Sequence, residues 1–223
     1  MRAGLVTELF VSENDDAFGE LIDEAERLGI GTLAVASAVM ESLAGTATPQ
    51  GVVAVARSRT HSISQLGGAS LVTVLAAVRD PGNAGTLIRS SAAAGADAVV
   101  VPRGSVDPFN PKTVRAAAGA LFATRLAVPD DLRGALRDLK DLGLRLIGAA
   151  AQSETAPDDV DLRAPVALVL GNEAWGIGEG EAELLDEVVG IPMPGPAESL
   201  NVAIAGSILL FEAVRQRRLS SAF

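Results

Sequence analysis

The sequence predicts an α/β protein whose larger part is a mostly parallel sheet with helices on both faces. Beyond residue 70, apolar runs of strand length alternate with stretches of helical period, as strands crossed by helices do. Many of the runs break into turns rich in Gly, Pro and Asn before the next helix begins. Ahead of them a Ser, Thr, Gly and His stretch without periodicity, Arg57 to Gly68, sets off a smaller α/β piece. The expected organisation is a small domain over residues 1–60, a linker over 61–69 and the main domain over 70–223.

In the small domain, Val6 to Val11 reads as a strand. Asp15 to Leu28 reads as a helix, with Phe18, Leu21, Ile22, Ala25 and Leu28 at helical spacing. Thr32 to Ala36 and Val52 to Ala56 are further strands around a short helix. The main-domain strands are Leu71 to Ala76, Ala98 to Val101, Thr124 to Ala127, Arg145 to Ala149, Val166 to Leu170 and Val188 to Ile191. Between and after them, helices are expected over Ala84 to Ala94, Pro111 to Ala120, Asp131 to Leu142, Glu179 to Leu185 and Leu200 to Arg215. Ligands of such sheets bind at loops beyond the carboxyl ends of the strands, so the chemistry is sought there.

Composition narrows the possibilities. Hydrophobic residues at 48% and charged residues at 21% describe a folded chain. With no cysteine, a thiolate metal site and a cysteine nucleophile are excluded, and a reducing cytoplasm fits. Met1 to Glu8 has no signal-peptide pattern, and the longest apolar runs fall far short of the roughly 20 residues of a membrane span. The net charge of −10 argues against a polyanionic partner, yet Arg79 to Arg125 holds six basic residues against three acidic ones. That segment is either a local cationic surface or ordinary solvated charge. The single His61, in the expected linker, reads as a surface residue rather than a catalyst.

Three strand-to-helix junctions stand out. The first runs Arg79-Asp80-Pro81-Gly82-Asn83-Ala84-Gly85 into a helix carrying Arg89, about 240° around the axis from Asn83 at 100° per residue. The second, Gly171-Asn172-Glu173-Ala174-Trp175-Gly176-Ile177-Gly178, follows a buried strand and matches neither the dinucleotide fingerprint nor the P-loop. The third, Ile191-Pro192-Met193-Pro194-Gly195-Pro196-Ala197-Glu198-Ser199-Leu200-Asn201-Val202, is a stiff loop before a helix with Leu200, Ile204, Ile208 and Phe211 on one stripe. Taken singly, each also suits a plain turn or cap, with Ser199 the expected cap of the last helix and Asn201 in its first turn.

In this order the three junctions resemble the sequence motifs of the SpoU family, within the SPOUT superfamily of RNA methyltransferases. The resemblance rests on Asn83-x-Gly-x-x-x-Arg89, Gly171-Asn-Glu-x-x-Gly176 and Ser199-Leu-Asn-Val202, with Asn110-Pro-Lys-Thr-Val-Arg-Ala116 to Phe122 a further family feature. It spans roughly residues 70–220, and Thr48-Pro-Gln-Gly-Val52 is similar to the end of the family's small substrate-binding domain. That domain usually opens with a strand and helix ahead of the point where this sequence starts, so here it is expected to be shortened.

The resemblance implies methylation of a ribose 2′-hydroxyl in RNA, with ribosomal and transfer RNA both open and ribosomal RNA the first choice, S-adenosylmethionine as cofactor and no metal. It implies a trefoil knot over Gly148 to Leu200, with Ala149, Leu170, Gly171, Ile191, Met193 and Leu200 cradling the cofactor. Arg89 would stand at the reacting hydroxyl. A guanidinium holds its proton too firmly to be a resting base, so Arg89 is expected to orient the hydroxyl and its neighbouring phosphate. Asn83, Glu173, Ser199 and Asn201 would position it and the ribose, and Lys112 and Arg115 would meet RNA. A homodimer is implied through the last helix and the first-motif helix, although the apolar stripe also suits internal core. Arg215, Arg217 and Arg218 either meet RNA or favour the helix C-terminus. A knotted RNA-binding protein without activity would be marked by loss of Arg89 or Asn201, and both are present. An oxidoreductase lacks its fingerprint loop after the first main-domain strand.

Overall fold

Strand pairing sorts the chain into two units, Met1–Arg59 and Thr60–Phe223, in a computed structural model that describes residues 4–13, 16–46, 48–171 and 176–220. In the first unit β1 (Val6–Ser12) lies between β2 (Gly31–Val35), parallel to it, and β3 (Val52–Ala56), antiparallel. Helix α1 (Gly19–Arg27) follows a 3-10 turn at Asp16–Phe18 and turns Ala25, Leu21 and Ile22 onto Leu9 and Val11. Helix α2 (Ser37–Ala44) buries Met40 and stops at Gly45, whose φ of 59° is the left-handed cap a helix end favours.

The second unit is built on six parallel strands: β4 (Leu71–Leu75), β5 (Ala98–Val100), β6 (Arg125–Ala127), β7 (Arg145–Ala149), β8 (Val166–Leu170) and β9 (Glu187–Val189). Their order is β6-β5-β4-β8-β7-β9. The chain steps outward from β4 to β6, crosses to β7, inserts β8 beside β4 and ends at the far edge with β9. Both central strands, β4 and β8, are buried at every residue, which is why they read as unbroken apolar runs.

Alternating side chains feed two cores. On one face Leu71, Leu75, Leu168 and Leu170 meet α3 (Pro81–Ala93) and α7 (Val202–Ser220). On the other, Val72, Val74, Ala167 and Val169 meet α5 (Leu132–Asp141). Two shorter helices, α4 (Pro111–Ala116) and α6 (Glu179–Ala182), complete the unit. Among the described residues no helix is long and apolar enough to cross a membrane.

Four local expectations are corrected. The expected linker 61–69 is part of the second unit: Ile63 and Leu66, three residues apart, bury themselves in the α5-side core from a 3-10 turn boxed by Ser62 and Gln65. The His61 amide bonds to the Leu126 carbonyl, so this segment covers the open edge of β6. The expected helix to Ala120 ends at Ala116, because Ala118 and Gly119 turn left-handed before a 3-10 turn at Ala120–Phe122. The expected Glu179 to Leu185 helix is one turn only, and the last helix starts at Val202 and runs to Ser220.

Helix α7 is two-sided. Val202, Ala203, Leu209, Leu210 and Ala213 are buried, and Gly206 lets the helix sit on Leu87 and Leu170, either of which a Cβ would approach to 2.5 Å. Of the expected stripe, Ile204, Ile208 and Phe211 face solvent at 51%, 41% and 51% exposure, so they are not internal core. The basic residues at its end divide. Arg217 donates to the carbonyls of Leu162, Ser70 and Ala164, and burial holds its guanidinium below its ordinary pKa. Arg215 pairs with Glu212 at 2.7 Å.

Candidate active site

At the carboxyl ends of β7, β8 and β9 lies a cavity of about 400 Å³. Its wall comes from Ala149 to Gln152 at the end of β7, Leu170, Gly171 and Gly176 at the end of β8 and in the loop after it, Ile191 and Met193 after β9, and Ser199, Leu200, Val202, Ala205 and Leu209 from the approach to α7 and its first turns. All six residues expected to cradle a cofactor, Ala149, Leu170, Gly171, Ile191, Met193 and Leu200, line this one cavity. Small and apolar side chains dominate, so backbone groups are the main polar contacts on offer, with Gln152 and Ser199 as the polar side chains. Ala150, Ala151 and Gln152 escaped the sequence reading, although they continue directly from Ala149.

Close backbone crossings set the shape of the cavity. A Cβ on Gly171 would stand 2.6 Å from the Gly176 carbonyl carbon, so the two arms of that loop nearly touch. A Cβ on Gly190 would stand 2.3 Å from the Ser153 carbonyl oxygen. There the segment after β7 lies against the end of β9: Ala150 N donates to Val189 O, Gly190 N to Thr155 O, and Ser153 Oγ to Val188 O.

Beside the cavity the first and third motifs meet. Asn201 Nδ2 donates to Asn83 Oδ1 at 2.9 Å. Asn201 Oδ1 accepts from the amides of Ala203 and Ile204, so Asn201 rather than Ser199 caps α7. Asp80 caps α3 by accepting from Asn83 N at 2.7 Å, with Pro81 in the first helical position. Asn83 therefore stands in the first turn with its amide bonded and its side chain turned to α7. Glu173 and Asn172 lie outside the described residues.

Gly85 explains the second fixed position of the first motif. A Cβ there would meet Thr113 O at 2.6 Å and Ala116 Cβ at 2.5 Å, so α3 and α4 touch backbone to backbone. This contact puts Arg89 of α3 and Lys112 and Arg115 of α4 on adjacent helices. All three are exposed and have no ion-pair partner among the described residues. Arg103 and Arg125, by contrast, pair with Asp130 and Asp97. The cationic segment seen in the sequence thus reduces to a smaller set of uncommitted charges. Arg89 does not line the cavity of its own chain. Among the described residues no cluster of His, Asp or Glu could hold a metal.

Comparison with known proteins agrees with this geometry. Residues 70–211 match the model of the SpoU rRNA Methylase family, and residues 2–61 match that for RNA 2′-O ribose methyltransferase substrate binding. The chain is 39% identical over 206 residues to the 23S rRNA (guanosine-2′-O-)-methyltransferase RlmB of Xanthomonas axonopodis pv. citri, covering 89% of this chain and 83% of that protein. It is 34% identical to the RlmB of Bordetella pertussis, covering 96% and 90%. Among solved structures it resembles the SpoU methyltransferase AviRb of Streptomyces viridochromogenes, with a TM-score of 0.87 and 28% identity over 98% of this chain and 85% of that one. The AdoMet-bound rRNA methyltransferase of Sinorhizobium meliloti matches with a TM-score of 0.85 and 30% identity over 96% and 82%.

Proposed function

Because this chain belongs to the SpoU rRNA methylase family and is an S-adenosylmethionine-dependent RNA 2′-O-ribose methyltransferase, we propose that its substrate is 23S ribosomal RNA, methylated at a guanosine. The observation that carries this reading is the single cavity shared by all six expected cofactor residues, next to the Asn83–Asn201 bond. With that substrate the enzyme works in the cytoplasm, and the first unit binds the RNA.

The cavity suits a folded nucleoside with an amino-acid tail: it has the volume, a narrow glycine-lined wall and exposed backbone groups. When bound, S-adenosylmethionine supplies an electrophilic methyl group on its sulfonium. Backbone groups at Leu170, Gly171, Ile191 and Met193 hold the cofactor, and Gln152 and Ser199 offer side-chain hydrogen bonds. Asn83 and Asn201 fix the start of α3 against α7, with Ser199 orienting the ribose. Arg89 holds the 2′-hydroxyl and the adjacent phosphate through its planar fork, and Lys112 and Arg115 bind neighbouring phosphates. The crossing of segments 150–155 and 188–190 supports the trefoil threading that the family resemblance implies.

The test is direct. Purified enzyme with labelled S-adenosylmethionine is expected to label 23S RNA at one ribose and to leave transfer RNA unlabelled. Label confined to transfer RNA, or to a base rather than a ribose, would overturn the assignment.

The same reading includes a homodimer. Ile204, Ile208 and Phe211 form an exposed apolar stripe on α7, and α3 packs beside it with Ser90 and Ser207 hydrogen-bonded at 2.7 Å. A second copy covering the stripe brings its own Arg89 to the neighbouring cavity, which fits an arginine that does not line the cavity of its own chain. Light scattering at micromolar concentration is expected to give about 45 kDa, twice the 22.7 kDa of one chain. Phe211→Glu is expected to shift that mass toward one chain and to lower activity with it.

A further inference from the structure

We propose that Ser105 is a positioning residue for methyl transfer, a role that rests on the activity proposed above. The observation is a backbone reversal at the end of β4. Leu71 and Leu75 face the core shared with α3, whereas Val72, Val74 and Ala76 face the opposite one. Strict alternation would send Val78 to the same side as Ala76. Instead Val78 lies in the core of α3.

The residue between them, Ala77, makes the switch with a φ of 59°, a left-handed conformation that alanine keeps only where its surroundings hold it. Ser105 is part of what holds it. Its Oγ accepts from Ala77 N at 3.0 Å and donates to Leu75 O at 2.7 Å, bridging the two sides of the reversal. The next residue, Val106, donates its amide to Val78 O at 2.8 Å. The turn so clamped runs into Asp80, the cap of α3, and thence to Asn83 and Arg89. Ser105 sets where their helix begins.

The experiment compares Ser105→Ala, Ser105→Thr and the double variant Ser105→Ala/Ala77→Gly with the parent enzyme. Two readouts are taken: amide exchange along 76–84, and kcat separated from KM. In Ser105→Ala, exchange is expected to speed up from Ala77 to Ala84 and not in α5. kcat is expected to fall about tenfold while cofactor affinity and the KM for RNA stay within about twofold, the mark of lost orientation rather than lost binding. Threonine keeps the hydroxyl and is expected to keep kcat. Glycine takes the left-handed conformation without steric cost, so the double variant is expected to regain most of the lost kcat.

Unchanged exchange over 76–84 in Ser105→Ala overturns the proposal, as does a lowered kcat that glycine at 77 fails to raise. A parent enzyme that methylates no RNA would refute the proposed function instead. The exchange readout then decides the clamp by itself.

Discussion

Replacing Arg89 with Ala is expected to lower kcat at least about a hundredfold, about 2.7 kcal/mol of barrier, while cofactor affinity changes less than about twofold. The separation follows from position. Arg89 is exposed on α3 with no ion pair among the described residues and does not line the cofactor cavity of its chain. Its removal leaves the cavity wall, the Asn83–Asn201 bond and the α3–α4 contact in place. Arg89→Lys keeps the charge and loses the planar fork, so a large part of the loss is expected to remain. Single-turnover rates with saturating cofactor and RNA make the measurement. A loss under about tenfold would mean that Arg89 meets only solvent, and the assigned role would go.

The second large effect is expected at Gly190. Its φ is not left-handed, so conformational freedom is not what the position demands. Space is, because a Cβ would press on Ser153 O at 2.3 Å and Ala150 O at 3.1 Å, both backbone atoms that cannot swing aside. Gly190→Ala is expected to cost about 2–3 kcal/mol, the upper part of the usual range for overpacking because both clashing atoms are backbone, and to lower Tm by about 4–12 °C. The forced shift moves Ala150 and Ile191, which both line the cavity, so cofactor affinity is expected to fall by more than about tenfold. Gly195 lies in the same loop with open space where a Cβ would go. Gly195→Ala is therefore the control, expected to leave Tm and cofactor binding within error. Calorimetry on the two variants decides it, and equal behaviour would refute the crossing as the cause.

The parts of this molecule that were legible in its sequence are those that physical chemistry writes locally. Parallel strands buried on both faces leave apolar runs, and β4 and β8 appeared as such. Functional loops must sit at the carboxyl ends of such strands, which made the three junctions findable. Residues that were missed act at a distance or through the backbone. Ala77 and Ala118 take left-handed conformations with no glycine to announce them. The residues 61–69 looked like a linker because Ser and Gly outnumber the three apolar residues, Ile63, Leu66 and Ala69, that anchor them. Ser199 was expected to cap α7 because a serine stood near its start, yet the helix begins later and Asn201 does so. Nothing local distinguished a stripe of isoleucine and phenylalanine facing solvent from one facing the core. The knot that the family resemblance implies would likewise be a property of the whole path, which no local stretch can announce.

The end of α7 has a consequence for how the molecule comes into being. Gln216 accepts from Leu162 N and donates to Pro157 O and Val160 O, and Arg217 donates to the carbonyl and hydroxyl oxygens of Ser70, which precedes it by 147 residues. Ser70 immediately precedes β4, and its amide and hydroxyl donate to Asp97 together with the Leu71 amide; burial pushes that carboxyl up, and these bonds with the Arg125 charge outweigh it to hold it below the usual carboxylate range. During synthesis at about 5–20 residues per second, Ser70 emerges about 7–30 s before the arginine that closes over it. Beside it, β4 waits for β8, which is made later still than β5 and β6. Native closure of the sheet is thus a late event joining distant parts of the chain, and such contacts are slow to form. A nascent chain stopped short of Arg217 would carry all six strands of the sheet and lack only the bonds by which the final turns of α7 tie Ser70, Leu162 and Ala164 together.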